Sequence, residues 1–142
     1  MARLSAAALL QQPVRLHGIQ LGRPTDLLLD LQSWHVLGFV VRCRDESVRF
    51  LPYAAAQPGA EEIAVGSALM LLEDVGFYAA RGASLRALLG GEVEHDGRAA
   101  GVLRDLVVAG GAVVELELES ARGRRRVPAV GSIVAPTRAS AA

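Results

Sequence analysis

The stretch Val113-Val-Glu-Leu-Glu-Leu-Glu119 decides the fold class. Its three glutamates alternate with valine and leucine. A period of two residues is typical of a β-strand that buries one face and exposes the other to solvent. The sequence therefore predicts a half-buried strand here and a protein whose secondary structure is mainly β.

This strand is predicted to begin a hairpin, because a polar turn and a second short strand over 124–127 follow it. In the simplest antiparallel register, Arg124 lies opposite Glu119 and Arg126 lies opposite Glu117. Opposite charges facing each other across two strands stabilise the pair by a few tenths to about 1 kcal/mol. We expect the arginines and glutamates to pair on a solvent-exposed face.

A second hairpin is predicted earlier in the chain, between strands over Phe39–Arg44 and Val48–Leu51. Proline ends both hairpins, at Pro52 and Pro128, because it lacks the N–H that a continuing central strand needs. Between the hairpins, Asp74 is a candidate N-cap for a short helix that Gly82 would end.

The two halves of the chain match in outline, which indicates an internal duplication. Each half has a glycine, an aspartate four positions later, and a proline at the end of the hairpin. The matched positions are Gly22, Asp26 and Pro52 in the first half and Gly101, Asp105 and Pro128 in the second.

These residues resemble the PRC-barrel family, whose pattern is Gly-x-x-Val, a turn with Gly, a further Gly, an Asp, a strand hairpin and Val-Pro. The second half matches this pattern at Gly90, Val93, Gly97, Gly101, Asp105 and Pro128. The resemblance implies a mainly β fold of two related small PRC-type β-barrels with a short helical linker. It also implies an adaptor role and brings no catalytic residue set.

The resemblance and the residue pattern together predict five segments. They are a flexible N-terminus over 1–13, a first half over 14–72, a helical linker over 73–83, a second half over 84–136 and a frayed tail over 137–142.

Composition excludes several kinds of chemistry. The 15 basic residues are all arginine, so Schiff-base and P-loop lysines are excluded. They balance 15 acidic residues, which argues against a dedicated nucleic-acid binder or a polybasic membrane anchor. Cys43 is the single cysteine, and no apolar run approaches the length of a membrane span. We therefore expect a cytoplasmic protein.

Candidate interaction residues fall in two places. Trp34 and His35 lie in a predicted turn, where the tryptophan either anchors a partner or packs on the barrel rim. Arg124, Arg125 and Arg126 form the basic cluster, which either contacts phosphate or pairs with the glutamate stripe. None of the histidines has a metal-ligand spacing to another His or Cys, so we predict no metal site.

Three functions compete on this evidence. The leading hypothesis is a non-catalytic protein-interaction or adaptor module that needs no cofactor and binds another protein or a second copy of itself. The first alternative is an assembly factor associated with RNA or the ribosome. The second is a small-ligand binder with a cleft between the halves, near His17, Asp26 and Asp105.

Overall fold

A computed structural model describes residues 2–135 of the chain. The first half contains β1 (Leu4–Ser5), α1 (Ala6–Leu9), β2 (Val14–Leu16), β3 (Ile19–Asp30), β4 (His35–Cys43), β5 (Val48–Pro52), a 3-10 turn (Tyr53–Ala55), β6 (Ala56–Pro58), β7 (Ile63–Val65) and a second 3-10 turn (Ala68–Met70). The second contains α2 (Val75–Ala79), β8 (Ala83–Ser84), α3 (Leu85–Leu88), β9 (Glu92–His95), β10 (Arg98–Ala109), β11 (Ala112–Ser120), β12 (Gly123–Pro128) and β13 (Ser132–Val134). The prediction of a mainly β protein is confirmed.

The strands form one open sheet in the order β13-β9-β10-β11-β4-β3-β2-β7-β6, with β1, β5, β8 and β12 pairing beside this path. The sequence predicts two small barrels instead, and the described pairings close neither half into a ring. The halves share the sheet because Ala112 of β11 pairs with His35 of β4. They are also joined by β1, which pairs with β10, and by β8, which pairs with β3.

Each half contains an antiparallel meander of three strands. β3 and β10 each have 12 residues, and β4 and β11 each have 9. In both meanders the third strand ends at the predicted proline, Pro52 in β5 and Pro128 in β12. The expected register of the second hairpin is confirmed, with Arg124 opposite Glu119 and Arg126 opposite Glu117.

The segment before each meander docks on the other half. Ser5 and Ser84 are the N-caps of α1 and α3, as their side chains accept the N–H groups of Ala8 and Ala87. Helix α1 follows β1, which pairs with β10 of the second half, whereas α3 follows β8, which pairs with β3 of the first half. This exchange joins the two halves at two separate places.

The exchange changes the description of residues 1–13, which the sequence predicts as a flexible N-terminus. The segment instead carries β1 and α1, and Ala6 and Leu9 of α1 have no exposed surface. A two-residue strand and a four-residue helix are too short to leave a periodic signal, so the sequence pattern missed them. The predicted frayed tail over 137–142 lies outside the described residues.

The apolar stretch over 63–72 is a strand only over Ile63–Val65. The chain then turns, because Ser67 caps the 3-10 turn by accepting the N–H of Leu69 at 3.1 Å. The helix predicted after Asp74 is present, and Asp74 accepts the N–H of Phe77 at 3.1 Å.

The largest fully buried side chains come from both meanders, from α1 and α3 and from β7, and one core is continuous across the halves. They include Leu27, Phe39 and Leu51 from the first meander and Leu103, Leu106, Leu116 and Leu118 from the second, with Leu85 from α3. Two close backbone approaches make this packing possible. A Cβ on Gly38 would collide with the carbonyl oxygen of Leu51, and one on Gly101 would lie 2.8 Å from that of Glu119.

Candidate interaction surface

The outer edge of β12 carries backbone groups that point away from β11. The N–H of Ala129 donates to the carbonyl of Val114 at 3.1 Å, which fixes the alternation of hydrogen-bonded pairs along this ladder. Arg125 and Val127 then belong to hydrogen-bonded pairs with β11. Arg124 and Arg126 alternate with Arg125 and Val127 along the strand, so their N–H and C=O groups face away from β11.

The corresponding edge of β5 is covered by the chain itself. Phe50 lies two residues before Pro52, as Arg126 lies two residues before Pro128. The Phe50 N–H donates to the carbonyl of Leu72 at 2.8 Å, and the Leu72 N–H donates back to the Phe50 carbonyl at 2.8 Å. Leu72 therefore satisfies both outward groups of Phe50.

Nothing within residues 2–135 does the same for β12. The outward backbone groups of Arg124 and Arg126 have no hydrogen-bond partner among the described residues. Unpaired edge groups of this kind are a template for another strand. The contrast between the two third strands is the main asymmetry between the meanders.

Arginine and glutamate side chains form a ladder on the solvent-exposed face of this hairpin. The ion pairs are Arg3–Glu115 at 2.6 Å, Arg124–Glu119 at 3.2 Å, Arg124–Glu117 at 3.5 Å, Arg104–Glu119 at 3.7 Å and Arg126–Glu117 at 4.0 Å. The arginines are 43–61% exposed, so each pair contributes at most about 1 kcal/mol. The self-pairing alternative for the basic cluster is therefore what the structure shows for Arg124 and Arg126.

Arg125 differs from its two neighbours. It lies opposite Leu118, on the other face of the hairpin, and its guanidinium donates to the carbonyl oxygen of Ala100 at 3.4 Å. Neither Arg125 nor Arg122 has an acidic partner within 4 Å among the described residues. Both are exposed, and they leave positive charge at the tip of the hairpin.

Trp34 is a core residue and not an exposed anchor. Its side chain is 6% exposed, and its backbone adopts a φ of 59°. Its N–H donates to the carbonyl of Asp30 at 2.7 Å, and its own carbonyl accepts the N–H of Val113 at 2.7 Å. Of the two alternatives for Trp34, packing is therefore the one observed, at the junction of the two meanders.

The turn before Trp34 is organised by Asp30. Its carboxylate accepts the N–H of Gln32 at 2.9 Å, and this bond lowers the pKa of Asp30 below its ordinary value. Next to Trp34, His35 is exposed and lies opposite Ala112, at the start of β11. The basic cluster lies beside the other end of β11, so the five predicted interaction residues do not form one surface.

The glycines and the valine of the predicted sequence pattern lie in turns, at a close backbone approach or in the core. Gly90 has a φ of 85° and donates its N–H to the carbonyl of Leu103 at 2.8 Å, and Gly97 has a φ of 79° in the turn before β10. Val93 is buried in β9. Gly22 lies against the backbone of Arg42, too close for a Cβ.

Asp26 and Asp105 accept hydrogen bonds from the first turns of the exchanged helices. Asp26 accepts the backbone N–H of Arg86 at 3.1 Å and the hydroxyl of Ser84. Asp105 accepts the backbone N–H of Ala7 at 3.1 Å. Each also accepts the N–H of the residue that follows it, at 2.8 and 2.7 Å. Both carboxylates are thus used to fix the halves together.

A cleft does lie between the halves, where α1 and α3 approach each other. Its lining is Ala7, Leu10, Gln11, Leu85, Arg86, Leu89, Arg104 and Asp105. Asp26 and His17 are not part of it, and His17 lies in the exposed turn between β2 and β3. Of the three residues that the small-ligand hypothesis places together, only Asp105 lines this cleft.

A Ser–His–Asp cluster that the sequence did not predict lies between β9 and β13. The Ser132 hydroxyl donates to the carbonyl of Pro128 at 2.8 Å, and His95 Nδ1 lies 2.9 Å from the same hydroxyl oxygen. His95 Nε2 is 3.4 Å from the Asp96 carboxylate. Because the carbonyl of Pro128 can only accept, the Ser132 hydroxyl donates to it, and the contact with His95 ties β13 to β9.

Among residues 2–135, no three His, Cys, Asp or Glu side chains converge in a way that could hold a metal ion. None of the helices in this range is long and apolar enough to span a membrane. No protein-family model matches the chain, and no curated protein sequence matches it significantly.

Proposed function

We propose that the chain is a non-catalytic protein-interaction module with two PRC-barrel-like halves that share one open sheet. In this proposal the module binds a partner protein by accepting an extended segment along the outer edge of β12. The observation that carries the proposal is the contrast between the two third strands. Leu72 covers the edge of β5, whereas the equivalent edge of β12 is open among the described residues.

Strand addition fits this edge physically. The added backbone gives affinity through main-chain hydrogen bonds, and the alternating side chains give specificity. A partner residue opposite Arg126 would make the same two hydrogen bonds that Leu72 makes with Phe50. The strand is also held in place, because six residue pairs join β12 to β11.

The RNA-associated alternative is less well supported by the same surface. Nucleic acid offers no ladder of backbone amides to the outward N–H and C=O groups of Arg124 and Arg126, whereas an extended protein segment does.

The test is a variant that blocks the edge without breaking the hairpin. Arg126→Pro removes an N–H that faces away from β11, and proline is tolerated on edge strands at such positions. Val48→Pro is the matched control. Val48 also occupies an outward-facing position, but it lies on β5, whose edge is already covered by Leu72 at Phe50. Circular dichroism establishes that both variants are folded.

The readout is capture of protein from native lysate at moderate salt, followed by mass spectrometry. We expect a discrete protein to be retained by the wild-type chain and by Val48→Pro, and to be lost with Arg126→Pro. Equal retention by all three chains would show that the partner does not use the edge of β12.

A further inference from the structure

We infer that the segment bound by β12 is extended and acidic, with carboxylates at alternate positions and apolar residues between them. This inference rests on the proposed function, since it names the chemistry of the partner at the same edge. Three independent features of the hairpin carry it: its charge, an internal precedent on β5, and the alternation of its faces.

Positive charge is concentrated around β12 in a chain whose net charge is zero. Six arginines and four acidic residues lie on or beside the hairpin, so the local surplus is two positive charges. The arginines are Arg3, Arg104, Arg122, Arg124, Arg125 and Arg126, and the acidic residues are Asp105, Glu115, Glu117 and Glu119. The rest of the chain holds the other 9 arginines (15 less 6) and 11 acidic residues (15 less 4). An acidic segment complements this surface and is steered toward it.

The first half already contains an acidic segment docked on the equivalent strand. Leu72 pairs with Phe50, and the next residue, Glu73, lies 3.4 Å from the guanidinium of Arg49 on β5. Arg49 lies three residues before Pro52, as Arg125 lies three residues before Pro128. The covered edge thus shows how an acidic residue pairs with an arginine of the third strand.

The faces of β12 set the spacing of the acidic residues. Arg124 and Arg126 share the solvent-exposed face with Glu117 and Glu119, whereas Val127 is buried on the opposite face. Successive side chains of an added strand alternate between these faces. In the precedent on β5, the apolar Leu72 lies opposite Phe50, which corresponds to Arg126. Glu73 pairs with Arg49, which corresponds to Arg125. An apolar residue of the partner would therefore lie opposite Arg126, and the carboxylate next to it would lie opposite Arg125, which has no acidic partner among the described residues.

A second copy of the chain is a poor occupant of this edge. Two β12 strands pairing antiparallel would place Arg124, Arg125 and Arg126 of one copy against those of the other. Like charges directly opposite each other destabilise a strand pair. The charge therefore favours a different protein over self-association.

The direct test measures peptide binding to the full chain by fluorescence anisotropy. The probe is labelled Ser-Glu-Leu-Glu-Leu-Glu-Ser, and the matched neutral probe has glutamine in place of each glutamate. We expect the acidic peptide to bind about tenfold more tightly, since each exposed charge pair contributes up to about fivefold. The preference should weaken as salt rises.

Variants assign the preference to specific residues. The double substitution Arg122→Gln with Arg125→Gln keeps the outward backbone groups of Arg124 and Arg126 and should abolish the preference for glutamate. Arg44→Gln removes the same charge at the exposed turn of the first hairpin and should leave the preference unchanged. Arg126→Pro should reduce the binding of both peptides.

The outcomes separate this inference from the proposed function. Equal binding of both peptides, lost with Arg126→Pro, would overturn the acidic partner and leave strand addition in place. No binding of the acidic peptide, or tighter binding of a single-stranded RNA oligonucleotide that competes with it, would also overturn the inference. Strand addition would then depend on the capture experiment with Arg126→Pro.

Discussion

At the residue scale, Gly38 tests how closely the strands of the first meander approach each other. A Cβ at this position would overlap the carbonyl oxygen of Leu51 and approach the Phe50 ring to 2.6 Å. Because backbone must move to relieve the overlap, we expect Gly38→Ala to lower the free energy of unfolding by about 3 kcal/mol. Urea unfolding measures this change. Gly66→Ala is the control, as its Cβ would meet nothing within 4 Å, and an equal loss in both variants would contradict the account.

The sequence predicts some individual contacts well and others not at all. The pairing of Glu117 with Arg126 follows from strict alternation in two adjacent strands, and the structure has that register. The burial of Trp34 does not follow from the sequence, because the residue lies in a turn with a φ of 59° and its carbonyl bonds to Val113 of the other half. The pattern of neighbouring residues indicates which face of a strand a side chain occupies. It does not indicate which distant segment lies next to a turn.

At the element scale, the N-terminus of α3 tests the docking of one half on the other. The Ser84 hydroxyl accepts the N–H of Ala87 at 3.3 Å and donates to Asp26 on β3. We expect Ser84→Ala to destabilise the protein by about 1–2 kcal/mol, because it removes the cap and a contact between the halves. Thermal unfolding measures the loss.

Ser67→Ala is the comparison for that prediction. Ser67 caps an exposed 3-10 turn and makes no hydrogen bond to the other half. Its substitution should cost no more than about 0.5 kcal/mol. A loss as large as that of Ser84→Ala would mean that the contact with Asp26 contributes nothing.

At this scale, the sequence predicts the long elements and misses the short ones. Both hairpins are evident from the sequence, because alternation, turn residues and a closing proline all indicate the same elements. The strands β1 and β8 have two residues each, and the contact that covers β5 is a single bridge at Leu72. Features this short leave no periodic pattern, so the open edge of β12 was visible only in the structure.

At the scale of the whole molecule, the two halves are interdependent. Each half supplies a strand and a helix that complete the other, and the core is continuous between them. The sequence indicated two related halves but not this exchange, because the exchange depends on contacts such as Ala7 with Asp105, 98 residues apart. The arrangement leaves the two third strands in different environments, and the proposed binding surface arises from that difference.

The central claim is that β12 has an open edge and β5 a covered one, and amide hydrogen exchange at Arg126 and Phe50 tests it most directly. In the free chain we predict slow exchange at Phe50, whose N–H is bonded to Leu72, and fast exchange at Arg126. Addition of the acidic peptide should slow exchange at Arg126 and leave Phe50 unchanged. Exchange at Arg126 as slow as at Phe50 in the free chain would contradict the claim, because the edge would then already be covered.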